Sequence, residues 1–183
     1  ADIIRRFAGC GNLLAAVAQD FMCEPFVLER TGLTVADHQR LTIERYDALI
    51  QCDTAGVPIM PVLQGYDPAE YAEHVRQYGD GLTPGMWVGV GSVCKRNSNA
   101  GSIVAVLEAI HAVRPDLQLH GFGIKLTALR DGRVRELLAS ADSMAWSFAA
   151  RYAGRDGNDI REAVAYADRI DRQPVQLVLI DGG

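Results

Sequence analysis

The sequence lacks any long hydrophobic run, which bears on where the protein acts. No uninterrupted apolar stretch among its 183 residues reaches the ~18 that a membrane-spanning helix needs. The first residues, Ala-Asp-Ile-Ile-Arg-Arg, also lack the apolar core of a secretory signal. We therefore expect no membrane partner and a cytoplasmic location.

Cysteine is scarce, and its occurrences are scattered. Cys10, Cys23, Cys52 and Cys94 form no Cys-x-x-Cys pair. Zinc sites need clustered thiolates or imidazoles, and disulfides need an oxidising compartment. We expect four free thiols, most of them buried in the core. The sequence thus predicts neither a metal site nor a cofactor.

An excess of positive charge is missing as well. The chain has 18 Lys and Arg against 23 Asp and Glu, a net charge of −5. This balance argues against nucleic-acid binding through bulk electrostatics, although it permits a local basic surface. Lys95, Arg96 and Lys125 closely follow predicted strands. They are candidate nucleic-acid contacts, and solvated loop charges are the alternative.

What the sequence does contain is a series of short apolar segments, each followed or closed by a polar residue or glycine. The segments are Leu13–Gln19, Pro58–Leu63, Met86–Val90, Gln118–His120 and a brief stretch ending at Asp142. The residues at their ends are Asp20, Gln64, Gly91, Gly121 and Asp142. Stretches with helical character separate the segments, which is typical of βαβ units.

These units predict an α/β fold, specifically a (β/α) TIM-type barrel, whose chemistry lies at the carboxyl ends of its strands. Residues 1–183 carry about five of the eight units of a closed barrel. We therefore expect a single, incomplete barrel domain and interpret the chain as a fragment of a longer protein. Helices are predicted from Thr34, over Asp67–Tyr78, Ile103–Val113, Arg133–Ala139 and Asp159–Arg169, with a final strand at Gln176–Ile180.

Five short motifs, in order, resemble those of tRNA-guanine transglycosylases. They are Ala16-Val17-Ala18-Gln19-Asp20, Pro61-Val62-Leu63-Gln64-Gly65, Val88-Gly89-Val90-Gly91-Ser92, His120-Gly121-Phe122-Gly123 and Asp142-Ser143-Met144-Ala145-Trp146. The stretches Asp20–Pro25 and Gly91–Arg96 are more similar to the DpdA-type members, which insert 7-deazaguanines into DNA.

The resemblance implies base exchange, in which a 7-deazaguanine derivative replaces guanine in DNA through a covalent bond between an aspartate and the sugar. It implies that Asp142 is the nucleophile. It also implies that the base is bound by Asp20, Gln64, Gly65, Gly91, Ser92 and Gly121. A carboxylate suits the N–H donors of such a base, and an amide suits its carbonyl.

Simpler roles remain open for the same residues. Asp20 and Asp142 could cap or turn the chain, and the Gln64 amide could bond to the backbone. His120 is interpreted as a core histidine at a strand end. Glu24 is interpreted as orienting a neighbouring group, with simple solvation as the alternative.

Two features of the family are absent from the sequence. The Asp-Ser-Gly-Gly segment, which carries the general acid/base aspartate, does not occur, and neither does the Cys-rich zinc segment of the tRNA enzymes. The second absence favours DNA over tRNA as the substrate, and the first leaves open a non-catalytic binding module or an inactive fragment. Guanine in a duplex must leave the base stack to react, and the sequence leaves open whether partner proteins give access to DNA.

Overall fold

The computed structural model of the protein describes residues 1–96 and 99–172, in which short parallel strands alternate with helices. The strands are β1 (Ala16–Val17), β2 (Ile59–Met60), β3 (Val62–Leu63), β4 (Trp87–Val90), β5 (Gln118–Gly121) and β6 (Ser140–Ala141). The helices are α1 (Asp2–Phe7), α2 (Pro25–Thr31), α3 (Val35–Ile50), α4 (Pro68–Tyr78), α5 (Ala100–Val113), α6 (Gly132–Leu137), α7 (Ala145–Tyr152) and α8 (Ile160–Asp171).

The strands follow one another in the order of the sequence, with β2 and β3 lying end to end on one stretch of chain. β1 pairs with β2, and β3 through β6 form a second run in which every pairing is parallel. Pro61 separates β2 from β3, because proline has no N–H to donate to a ladder. Its carbonyl still accepts from the Gly89 N–H at 2.9 Å, so the two runs follow one another without a gap. The predicted α/β fold with parallel strands is confirmed at this level.

Two helices begin where the sequence predicts, because each has a complete capping box. The Thr34 hydroxyl accepts from the Asp37 N–H at 3.2 Å, and the Asp37 carboxylate accepts from the Thr34 N–H at 3.1 Å. Asp67 and Glu70 form the same reciprocal pair at the start of α4. Pro68 lies in the first turn of that helix, where its missing N–H costs nothing.

Other element boundaries differ from the prediction. The helix predicted from Ile103 begins at Ala100, because the Asn99 side chain accepts from the Ser102 N–H and caps it. Helices α1, α2 and α7 were not predicted; they span only 6, 7 and 8 residues, too few for a clear helical period. The strand predicted at Gln176–Ile180 lies outside the described residues.

The core lies between the strands and helices α4 and α5. It contains Leu63, Val88, Val90 and Leu119 from the strands, and Tyr71, Val75, Ile103, Leu107 and Ile110 from the helices. These helices pack against the face of the strands, so the carboxyl ends of the strands are joined to loops that carry the candidate residues. No helix within the described ranges is both long and apolar enough to cross a membrane.

The prediction that most cysteines are buried is wrong. Cys23 is buried, whereas Cys94 is partly exposed and both Cys10 and Cys52 are exposed. The two exposed residues lie just beyond the ends of α1 and α3. Both cysteines therefore belong to connecting segments and not to the helices that pack on the core.

Candidate functional site

The predicted site residues lie at one edge of the parallel strands. Gln64 directly follows β3, Gly91 directly follows β4, and Asp142 directly follows β6. Gly121 is the last residue of β5, and Asp20 lies three residues beyond β1. Because all the pairings are parallel, this edge is the carboxyl end of the strands, where enzymes with repeated βα units carry their chemistry.

Three of these residues form one hydrogen-bonded chain. The Gln64 Nε2 donates to Asp20 Oδ2, and the Ser92 hydroxyl donates to Gln64 Oε1 at 2.7 Å. Ser92 in turn accepts from the Cys23 N–H at 3.3 Å. Gln64 is fully buried, so its amide is held in a fixed orientation by two neighbouring strand ends.

Gly91 is needed for this arrangement for a steric reason. An added Cβ at residue 91 would overlap the Gln64 amide nitrogen and lie 2.6 Å from Gln64 Cδ. The next residue, Ser92, has φ of 55°, a conformation that is uncommon for residues other than glycine and often marks functional sites. The Tyr71 hydroxyl holds the Gly91 carbonyl at 2.8 Å.

The backbone of Gln64 is held by two residues whose role the sequence did not predict. The Gln64 N–H donates to His74 Nδ1 at 2.8 Å, and Gln39 Nε2 donates to the Gln64 carbonyl at 2.8 Å. This pattern assigns the proton of His74 to Nε2, which lies 3.2 Å from the Gln39 carbonyl. Burial lowers the pKa of His74 to about 4, so the ring is neutral. One sequence pattern could have indicated His74, since it shares the apolar face of α4 with Tyr71 and Tyr78.

A cleft of about 330 Å³ opens beside this chain of hydrogen bonds. Its lining comprises Val17, Asp20, Met22, Glu24, Gln64, Gly91, Ser92, Cys94, Phe122 and Gly123. Burial raises the pKa of Asp20 above its ordinary value, although the hydrogen bond from Gln64 opposes the shift. A concave, mostly apolar space with a few converging polar groups is typical of a small-molecule site.

Asp142 lies in a different electrostatic environment. Its Oδ1 accepts from the Gly123 N–H at 3.0 Å and lies 3.4 Å from His120 Nε2. The hydrogen bond from His120 is the main cause that holds the pKa of Asp142 below its ordinary value, and the Gly123 N–H makes a smaller contribution in the same direction. The Asp142 side chain is 52% exposed. It is therefore an ionised and accessible carboxylate at neutral pH.

His120 joins Asp142 to a second set of hydrogen bonds. Its Nδ1 lies 2.8 Å from Ser140 Oγ, which accepts from Trp87 Nε1 at 2.9 Å. Ser140 can therefore donate its hydroxyl hydrogen to Nδ1, and His120 can donate from Nε2 to Asp142. The ring also makes edge contacts with Trp87 and Phe122. The interpretation as a core histidine was incomplete, because His120 also orients the exposed carboxylate.

The sequence pattern of the family described as DpdA, DeoxyPurine in DNA protein A, matches residues 1–175. The chain belongs to the DpdA family. The family resemblance inferred from the five strand-end motifs is therefore confirmed. Membership connects the protein with the modification of deoxypurines in DNA. A search of curated proteins gave no match.

A second cleft in this DpdA chain adjoins the first. It measures about 470 Å³ and is lined by Cys94, Lys95, Gly123, Lys125, Ser143, Met144, Ala145 and Phe148. Cys94 and Gly123 line both clefts, so the two spaces meet there. Lys95 and Lys125, predicted as nucleic-acid contacts, thus lie in the lining of one cleft.

Three predicted site residues of the DpdA chain, Arg96, Gly65 and Gly121, are not part of the lining of either cleft in the described part of the chain. Arg96 lies over the Tyr66 ring, 4.8 Å from its centroid, and donates to the Tyr66 carbonyl. An added Cβ would lie 3.0 Å from Tyr71 at residue 65 and 2.7 Å from Ile124 at residue 121. Close packing therefore gives a structural reason for both glycines and leaves their predicted role in binding untested.

Proposed function

We propose that the protein is a transglycosylase that replaces guanine in DNA with a 7-deazaguanine derivative. One observation carries the proposal. The hydrogen-bonded chain of Asp20, Gln64 and Ser92 borders a cleft at the same strand edge as the ionised, accessible Asp142. One group of residues is suited to hold a purine-like base, and the other is suited to attack a sugar. We also propose that the parallel strands form an arc of a TIM-type barrel, incomplete within these 183 residues.

Base recognition follows from the polar groups of the first cleft. A guanine-type base has N–H donors on one edge and a carbonyl acceptor beside them. A carboxylate offers about four lone-pair sites, so Asp20 can accept from the base while it remains bonded to Gln64. The Gln64 amide has a second hydrogen for the carbonyl. Both groups are already oriented, which lowers the entropic cost of binding.

The exchange has two balanced steps at C1′ of the deoxyribose. First, an Asp142 carboxylate oxygen bonds to C1′ as the bond from C1′ to N9 breaks, and guanine leaves with that electron pair and takes a proton from water. Second, N9 of the 7-deazaguanine gives its proton to water and bonds to C1′, and the bond from C1′ to Asp142 breaks and returns its electron pair to the carboxylate. A carboxylate suits this role, because it stabilises positive charge on the sugar and can bond to it.

DNA is the proposed nucleic acid, and the second cleft is the proposed place for its backbone. Lys95 and Lys125 line this cleft, and Lys side chains are common phosphate contacts. Arg96, Gly65 and Gly121 keep their proposed roles through the family resemblance. A duplex guanine would have to be flipped out to reach the strand ends, and partner proteins that open the DNA are compatible with this requirement.

Asp142→Asn tests the proposed reaction in the full-length protein. The amide keeps the shape of the carboxylate but cannot attack C1′, so exchange of radiolabelled guanine into DNA should be abolished. A covalent protein–DNA adduct on a denaturing gel should form with the native protein and disappear in the variant. Binding of 7-deazaguanine, measured by calorimetry, should stay within about threefold, because the base lies in the other cleft.

Asp80→Asn is the matched control, since Asp80 is an exposed carboxylate in the turn before β4. It should leave both exchange and the adduct unchanged. Undiminished adduct in Asp142→Asn would exclude Asp142 as the nucleophile. Base binding by the native protein without any exchange would instead identify a non-catalytic binding module.

A further inference from the structure

Glu24 is a buried acidic residue that the proposed reaction leaves without a role. It is 3% exposed, and it lines the same cleft as Asp20 and Gln64. Among residues 1–96 and 99–172, neither carboxylate oxygen of Glu24 has a hydrogen-bond partner. The interpretation that Glu24 is solvated is therefore wrong, and within the described residues it has no hydrogen-bonded neighbour to orient.

The usual structural reasons for an acidic residue do not apply to Glu24. It occupies the N-cap position of α2, yet its side chain makes no capping hydrogen bond. No ion pair within the described ranges includes it. Arg96 bonds to the Tyr66 carbonyl, and its Nε is also buried without a hydrogen-bond partner among the described residues. A buried carboxylate without partners destabilises a fold. Its position in the cleft indicates that a ligand supplies the missing donor.

We infer that Glu24 is a second carboxylate for the amino edge of the base, and this inference rests on the proposed function. A 7-deazaguanine has three hydrogens on that edge, one on N1 and two on the exocyclic N2. Asp20 can accept two of them side by side, which leaves one N2 hydrogen. Glu24 accepts this hydrogen, so the pair of carboxylates selects bases that carry a 2-amino group.

The two carboxylates then divide the recognition of the base. Asp20 is oriented by Gln64 and accepts hydrogen bonds from N1 and N2 on the Watson–Crick edge, whereas Glu24 accepts from the amino group alone. A buried polar group rejects a ligand that cannot pair with it more strongly than an apolar pocket rejects an extra atom. Bases such as 7-deazahypoxanthine, which keep the carbonyl but lack the amine, should therefore be excluded.

Calorimetry with two bases and the full-length protein tests this assignment. The native protein should bind 7-deazaguanine at least about tenfold more tightly than 7-deazahypoxanthine, because loss of the amine removes one hydrogen bond to Asp20 and one to Glu24. Glu24→Gln replaces one acceptor oxygen with an N–H donor facing the amine. It should weaken 7-deazaguanine binding about tenfold or more and change 7-deazahypoxanthine binding by less than about threefold.

Thermal unfolding without base gives a readout that a structural role would not produce. Glu24→Gln should raise the melting temperature, because a buried amide without partners costs less than a buried acidic group without partners. Glu29→Gln on the exposed surface of α2 is the matched control and should change neither binding nor melting. A lower melting temperature in Glu24→Gln, or equal weakening of both bases, would overturn the inference and leave the proposed reaction standing. No binding of 7-deazaguanine by the native protein would instead contradict the proposed function.

Discussion

Gly91→Ala should disable the base cleft through a single methyl group. The new Cβ would occupy the space of the Gln64 amide, which is fully buried against the glycine. The clash falls on the end of a side chain, so the least costly response is rotation of the amide away from residue 91. That rotation breaks the bonds of Gln64 to Asp20 and Ser92.

The expected magnitude follows from those contacts. The two lost hydrogen bonds cost about 1 kcal/mol each, and a buried amide that finds no new partner raises that total by up to about 2 kcal/mol. Overpacking of a filled site costs about 1–3 kcal/mol by itself. Rotation of the amide relieves the overpacking but breaks its hydrogen bonds, so the two costs are alternatives and do not add. We therefore expect the free energy of unfolding to decrease by about 2–4 kcal/mol. Base affinity should decrease in the same variant.

A double-mutant cycle with Gln64→Ala tests whether the cost of Gly91→Ala comes from the clash between the new Cβ and the Gln64 amide. Without the amide, the same Gly91→Ala change should cost less than about 1 kcal/mol, which gives a coupling energy of about 1–3 kcal/mol. Urea unfolding of the four proteins supplies the values. Gly81→Ala is the control, because its added Cβ would lie 3.8 Å from Tyr78, an ordinary contact. Equal costs with and without the Gln64 side chain would refute the steric explanation.

The remaining predictions concern the groups around this amide and the nucleophile. Asp20→Ala and Gln64→Ala should each weaken 7-deazaguanine binding by about 1–3 kcal/mol, because a buried partner is left unpaired; unchanged affinity in both by calorimetry would reject their roles. His74 has its folded-state pKa lowered to about 4, below the ~6.5 of an unfolded chain. Its contribution to stability is therefore fully present above about pH 6.5 and is lost as the pH falls towards 4, on the order of 3 kcal/mol in all. His74→Gln should make the melting temperature depend less on pH over that interval. An unchanged slope of melting temperature against pH would contradict the pKa assigned to His74. His120→Phe should let the pKa of Asp142 rise towards its ordinary value, so the acidic limb of base exchange should move to higher pH; a profile with an unmoved acidic limb would exclude this coupling.

The sequence predicted the features that depend on neighbours along the chain. Thr34 with Asp37, and Asp67 with Pro68, are local signals, and the helices begin there because a capping box needs only four consecutive residues. The ends of β3, β4 and β6 were predicted equally well, since those apolar segments stop at a polar residue or glycine, whereas β1 ends three residues before Asp20. Gln64 was therefore located at a strand end before its contacts were known.

The sequence could not predict the features that depend on residues far apart in the chain. Gln39 lies 25 positions before the Gln64 carbonyl that it holds, and no local pattern relates the two. Gly91 was predicted to bind the base, but the group that an added Cβ at this position would meet is the Gln64 amide. Glu24 was interpreted as orienting a neighbouring group or as solvated, whereas it is buried in the lining of the cleft without a hydrogen-bond partner among the described residues.

Gly123 connects the proposed base cleft with the proposed nucleophile through one peptide. Its backbone forms part of the wall shared by both clefts, and its N–H holds Asp142 Oδ1 at 3.0 Å. Its φ is 66°, and an added Cβ would lie 2.8 Å from Cys94, so no larger residue fits without moving this peptide. A base that pushes on the wall would also pull on the carboxylate. Attempts to enlarge the cleft for bulkier deazapurines should therefore begin at Val17 and Met22, which line this cleft but not the second one.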